Sequence, residues 1–199
     1  MAGRTGGPLA DGPIADGTVL AKGLTVAQFR AREWPARVQL VDGAVVADIP
    51  ADAHQSVVGN IFAKLITFTG GAPGRGVAGL ALPVMVDATN VYAPDVWWAR
   101  EGRPDANTGR LDVVPDLAVE VRSPATWRHD SGAKRRHYGE AGTAELWLVD
   151  PQARRILVHR RTSADATGFN VTRTVTVGDL LLTPLLDGFF LDLEQAFKL

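Results

Sequence analysis

The sequence predicts an α/β (α+β) domain built on a mixed central β-sheet flanked by helices. Three observations lead there: short apolar segments arranged as hairpin pairs, helical apolar stripes between some of those pairs, and no internal repeat. The chain has 199 residues, 46% hydrophobic and 22% charged, which suits one ordinary domain with a substantial core.

Residues 1–20 are rich in Gly, Ala, Pro and Asp without periodicity and read as a flexible N-terminal tail, leaving 21–199 as the domain. LTVAQFRARE reads as a short helix with Thr25 as its N-cap. RVQLVDGAVVADI reads as two strands around Asp42-Gly43, a strong hairpin signal. In HQSVVGNIFAKLITF, Val57, Val58, Ile61, Phe62, Leu65 and Ile66 recur at helical spacing and form one apolar stripe. LALPVMVDATNVYAPDVWWA reads as two strands joined at 87–90, and 100–113 as a polar loop. PDLAVEVRSP follows as an interior strand, then SGAKRRHYGEAG as a helix that Gly142 ends. AELWLVD and RILVHRR form a hairpin turned at Asp150-Pro151. The end, TVGDLLLTPLLDGFFLDLEQAFKL, reads as a short apolar segment, a turn and a small helix.

No apolar run is long enough for a membrane span, and the N-terminus has no signal-peptide core. Without cysteine there is no disulfide framework and no thiolate metal site. A soluble, cytoplasmic protein is expected. The net charge of −1, from 21 basic and 22 acidic side chains, argues against coating nucleic acid by bulk electrostatics. One local cluster stands out: WRHDSGAKRRH holds Arg128, Lys134, Arg135, Arg136 and two histidines.

Chemistry centres on acids inside apolar strands. In an extended PDLAVEVRSP, Leu117, Val119 and Val121 share one face, and Ala118, Glu120 and Arg122 the other. A buried carboxylate is costly unless paired or bound to a cation, and pairing with Arg122 or another base at the sheet surface is the simpler reading of Glu120 taken alone. Asp95, in YAPDVWWA, is a second such acid, placed after Pro94, which ends regular strand pairing. Its simpler reading is a turn cap. If the two strands are neighbours, their carboxylates converge as hard oxygen ligands suited to Mg²⁺ or Mn²⁺ rather than zinc. Lys134, in the helix after the Glu120 strand, can swing its ammonium back to that strand's end; the alternative is a solvated helix face. GRGVAG at 74–79 fits G-x-G-x-x-G but lies between a helix and a strand, the wrong context for a dinucleotide. No P-loop lysine, nucleophile elbow or H-E-x-x-H occurs.

LVDGAVV, HQSVVGNIFAKL, APDVWW, VPDLAVEVRSPAT, GAKRRHYGEAGTAELWLVDP and LLTPLLDGFFLDLEQAF follow one another from about Leu24 to the C-terminus. In these stretches the chain resembles the Uma-type putative restriction endonucleases, which have the PD-(D/E)xK nuclease fold. The resemblance implies a restriction-endonuclease-like sheet with a divalent-metal site at its edge. It implies Asp95 and Glu120 as the metal-binding acids, the Val121 backbone carbonyl as a further ligand, and Lys134 as the catalytic lysine. Lys134 stands in for the lysine slot two residues after Glu120, where this chain has Arg122. A guanidinium binds phosphate but is too basic for proton transfer. His54 matches a family histidine, with a hydrogen bond at the start of its helix as the alternative role. Gln39 stands where the family commonly has a glutamate, and a neutral amide is the weaker metal ligand. The implied function is a Mg²⁺- or Mn²⁺-dependent DNA endonuclease, with Arg122, Arg128 and Arg135 gripping phosphates and a homodimer serving both strands. Gln39 and the near-zero charge favour an alternative: a catalytically weak nucleic-acid-binding or regulatory module on the same fold, acting as a homodimer.

Overall fold

Turn chemistry and apolar spacing account for most elements of the computed structural model, which describes residues 14–49, 52–103, 111, 113–123 and 130–199. Strand β1 (Val19–Ala21) precedes helix α1 (Val26–Arg30). Thr25 and Gln28 close a capping box at the helix start, each side chain accepting the other's backbone N–H. Strands β2 (Val38–Val41) and β3 (Ala44–Ala47) form the expected hairpin. Asp42 and Gly43 both take positive φ there, 47° and 73°, as a two-residue turn of this kind requires. Helix α2 (Asp52–Gly70) fully buries Val57, Ile61 and Leu65, each worth about 1.5–3 kcal/mol. Ile66 departs from the expected stripe: it is 43% exposed.

After β4 (Val77–Leu80), the two strands expected over 80–99 are three: β5 (Val84–Met85), β6 (Val91–Tyr92) and β7 (Val96–Ala99). Pro83 and Pro94 lack the N–H that a continuous ladder needs, and Ala81 turns the chain at a φ of 42°. The chain therefore alternates between two sheets. After β8 (Leu117–Val121), a π-helical turn (Asp130–Lys134) runs into α3 (Arg135–Ala141), which Gly142 ends in the left-handed conformation. Then come β9 (Glu145–Asp150), β10 (Arg155–Arg160), β11 (Val171–Thr176), β12 (Leu180–Leu182), β13 (Phe190–Asp192) and α4 (Leu193–Ala196). Strand β11 is absent from the sequence reading, because its VTRTVT is mostly exposed and carries no apolar face.

The strands form a five-stranded sheet, β1-β3-β2-β6-β5, a six-stranded sheet, β11-β10-β9-β8-β7-β4, and the hairpin β12-β13. The architecture is thus mixed, but with two principal sheets rather than one. The six-stranded sheet is mixed because β8 and β9 run parallel, joined through α3. One of its faces, with Leu117, Val119 and Trp147, packs on α2 and on Phe189. The other, with Trp97, Ala118 and Leu148, meets Tyr138 of α3 and Val41, Val46 and Tyr92 of the five-stranded sheet.

Three details adjust the reading. The stretch taken as a tail already joins the fold, since Gly17 donates to the Ala47 carbonyl at 2.8 Å and Val19 begins β1. The 100–113 loop contributes buried Leu111, bridged to Val84, while 104–110 and 112 fall outside the described residues. The glycine-rich 74–79 stretch serves packing: a Cβ on Gly79 would overlap the Trp97 ring. No described helix is long and apolar enough to cross a membrane.

Candidate active site at the end of the six-stranded sheet

Strands β7 and β8 pair antiparallel, Val96 opposite Val119 and Trp97 opposite Ala118. Continuing that register by one step sets Asp95 opposite Glu120, on the face that carries Trp97 and Ala118. The two strands are neighbours, as convergence requires. Asp95 is fixed there by the Val121 N–H, which donates to its Oδ2 at 2.8 Å. His54, in the first turns of α2, brings Nε2 to 3.2 Å from the same oxygen, and Arg37 brings Nη2 to 3.4 Å from Oδ1. Burial opposes charge on Asp95, but His54, the Val121 N–H and the Lys134 ammonium outweigh it and hold the carboxyl below its ordinary value. Burial likewise opposes charge on His54, and its hydrogen bond to Asp95 overcomes this and raises the imidazole pKa.

Glu120 is 3% exposed and Lys134 2%, so each needs a partner. Lys134 Nζ lies 3.0 Å from Glu120 Oε2, and the Tyr138 hydroxyl donates to Oε1 at 3.0 Å. The ammonium also sits 5.5 Å from the centre of the Tyr92 ring. Glu120 is therefore buried rather than at the sheet surface, and Lys134 is a base it pairs with. Arg122 lies just past the end of β8 and donates from Nη1 to Asp150 Oδ2 at 2.9 Å.

Gln39 is buried beside this group, its Oε1 accepting the Ala93 N–H at 3.4 Å. Arg135 is half-buried at the start of α3, and its charge reaches His159 of β10. Arg128 lies outside the described residues, as do Trp127 and His129. Among the described residues, no three His, Cys, Asp or Glu side chains converge on one point that could hold a metal ion.

The Uma2 family model, described as "Putative restriction endonuclease", matches residues 26–194. The chain belongs to that family. Among solved structures, a putative nuclease belonging to DUF820 from Anabaena variabilis superposes with a TM-score of 0.72. The match covers 88% of this Uma2 chain and 98% of that one at 18% identity, a likeness of fold. No curated protein matches the chain.

Three side chains of this Uma2 site escaped the sequence reading. Asp48, just after β3, has Arg37 Nη2 at 2.7 Å from its Oδ2. That contact lacks hydrogen-bond geometry, which leaves the buried oxygen without a hydrogen-bond partner. Burial is the main influence on Asp48 and raises its pKa, while Arg37, Lys134 and a hydrogen bond from Gln39 pull the other way. Arg37 thus stands between two carboxylates, Asp48 and Asp95. The signal for Asp48 was an acid closing the apolar run VVAD, the same kind that marked Asp95. Tyr138 was detectable as the residue four after Lys134, on the same helical face. Arg37 had no local signal.

Proposed function

We propose that this chain is a divalent-metal-dependent endonuclease that hydrolyses DNA phosphodiester bonds with Asp95, Glu120 and Lys134. The observation that carries the reading is the Val121 N–H bond to Asp95, which ties that acid to the Glu120 strand while Lys134 lies against Glu120. The donor set fits Mg²⁺ or Mn²⁺: Mg²⁺ keeps several waters and needs only one or two carboxylates beside substrate phosphate. Both acids are matched here by protein cations, Lys134 on Glu120 and Arg37 on Asp95, so the site is built to hold positive charge.

Asp95, Glu120 and the Val121 carbonyl would hold the ion. When bound, it supplies Lewis acidity to the scissile phosphate and to an attacking water. Lys134 orients that water or holds the phosphate, and the hydrogen bond from His54 fixes the Asp95 carboxyl. Arg122, Arg128 and Arg135 bind flanking phosphates, which positions a duplex without reading its sequence. A cytoplasmic homodimer fits cleavage of both strands. Gln39, amide rather than acid, favours a second reading, in which the same fold binds nucleic acid but cuts weakly.

Plasmid DNA incubated with the purified protein and Mg²⁺ or Mn²⁺ decides between them. We expect nicking by the natural chain and at least a hundredfold loss, about 2.7 kcal/mol of barrier, in Asp95→Ala and Glu120→Ala. Equal cleavage by both variants would overturn the site. Retained DNA binding without any cleavage would select the second reading.

A further inference from the structure

The row of side chains that begins at Glu120 continues along the same end of the six-stranded sheet. Arg122 N–H donates to the Val149 carbonyl, which sets Arg122 beside Asp150 at the end of β9. Asp150 in turn pairs in register with Arg155 at the start of β10. By strand alternation, Glu120, Asp150 and Arg155 project on one face. Side-chain contacts bind the row together. Asp150, 2% exposed, accepts from Arg122 Nη1 at 2.9 Å and lies 4.0 Å from Arg155 Nη2. The Ala153 N–H holds its other oxygen, Oδ1, at 3.2 Å. The carboxylate is buried, whereas the side chains of Arg122 and Arg155 are 30% and 45% exposed. A buried acid thus holds Arg122 by a hydrogen bond and lies within ion-pair reach of Arg155, and both arginines reach solvent. β8 and β10 are two strand spacings apart, about 10 Å, so the arginines extend the Glu120–Lys134 site rather than form a separate patch.

Resting on the nuclease reading, we propose that Arg122 and Arg155, held by Asp150, form a track on which the sugar–phosphate backbone of the DNA runs away from the site across β9 and β10. Chemistry favours this occupant over an acidic peptide. Guanidinium groups match phosphate oxygens in a planar, bidentate way, and the track starts at the groups proposed to act on a phosphodiester. With a net charge of −1, affinity for a polyanion must come from a local array of this kind. Asp150 is a positioning residue: it touches the arginines and not the DNA.

Binding of a short fluorescein-labelled DNA duplex, followed by anisotropy in EDTA over a series of salt concentrations, tests the track without cleavage. Each lost phosphate contact lowers the slope of log K against log salt by about 0.9. We expect that decrease in Arg122→Ala and again in Arg155→Ala, with Arg155→Lys keeping the natural slope because it retains the point charge. Arg173→Ala is the control, since Arg173 pairs in register with Val158, which packs into the core on the other face of the sheet, and it should leave the slope unchanged. Duplex binding with unchanged slopes in both alanine variants overturns the track and leaves the nuclease reading standing. An equal decrease in Arg173→Ala also overturns it. Failure of the natural chain to bind any duplex in EDTA likewise overturns the track, while plasmid cleavage in Mg²⁺ or Mn²⁺ tests the nuclease reading separately.

Discussion

The strand pair β7–β8 carries a Pro-Asp step at each end, and the two aspartates live differently. Asp116, after Pro115, has no exposed surface and accepts from the Arg100 backbone N–H, from Arg100 Nε and Nη2, and from Arg103 Nη1. Its partners lie 16 and 13 residues away along the chain. Asp95, after Pro94, takes partners 58, 41 and 26 residues away, on three different elements. Two of those contacts are long, at 3.4 and 3.2 Å. Around it stand a His54 Nδ1 and an Asp48 oxygen with no hydrogen-bond partner. An acid whose valences are filled by a local arginine clamp is finished as structure. One held loosely by groups from several elements keeps capacity for a ligand.

Substitutions sharpen that contrast. The largest effect on stability is expected at Lys134→Met, which removes the ammonium from the buried Glu120 carboxylate. Urea denaturation should show a loss of about 3–5 kcal/mol, most of it recovered in Lys134→Met/Glu120→Gln. A double variant no more stable than the single one would mean that the ion pair is not what Lys134 contributes.

Next comes the clamp. Asp116→Asn should cost about 2–3 kcal/mol, because it weakens several charge-assisted hydrogen bonds together. Asp95→Asn should cost less, since Arg37 keeps Asp48 and His54 can release its proton. Equal losses would erase the distinction between the two ends.

The smallest effect is a pH dependence confined to the Asp95 end. His54 binds its proton more tightly folded than unfolded. Its pair with Asp95 therefore contributes fully below the ordinary imidazole value of 6.5, and the contribution is lost as pH rises through the raised folded value. In EDTA, stability should decline as pH rises across that window and stay flat in His54→Gln. At the other end the charged partners of Asp116 among the described residues are Arg100 and Arg103, which do not titrate there. Asp116→Asn should keep the decline.

Much of this was legible in one dimension. Asp95 and Glu120 were readable because an ionised group within an apolar run needs a partner wherever the strand goes. Lys134 was readable because a helix following directly on that strand returns its first turns to the strand's end. The Asp42-Gly43 turn, the Thr25 cap and Gly142 are matters of local backbone energy. Missed elements share the opposite character. The division into two sheets depends on which strand edges meet, and β11 is held by pairing with β10 rather than by an apolar pattern of its own. Pro115-Asp116 and Pro94-Asp95 look alike as dipeptides, and only their surroundings separate them.

By itself the sequence determined the capped helices, the hairpins β2–β3 and β9–β10, and the need of two interior acids for cationic company, because conformational preference and the cost of burying charge act within a few residues. Only the tertiary structure decided the company: Lys134 and Tyr138 for Glu120, His54, Arg37 and the Val121 amide for Asp95, with Asp48 close by. Hydrogen bonds and Coulomb attraction at 3 Å are set by which surfaces fold together, and distance along the chain carries no record of that.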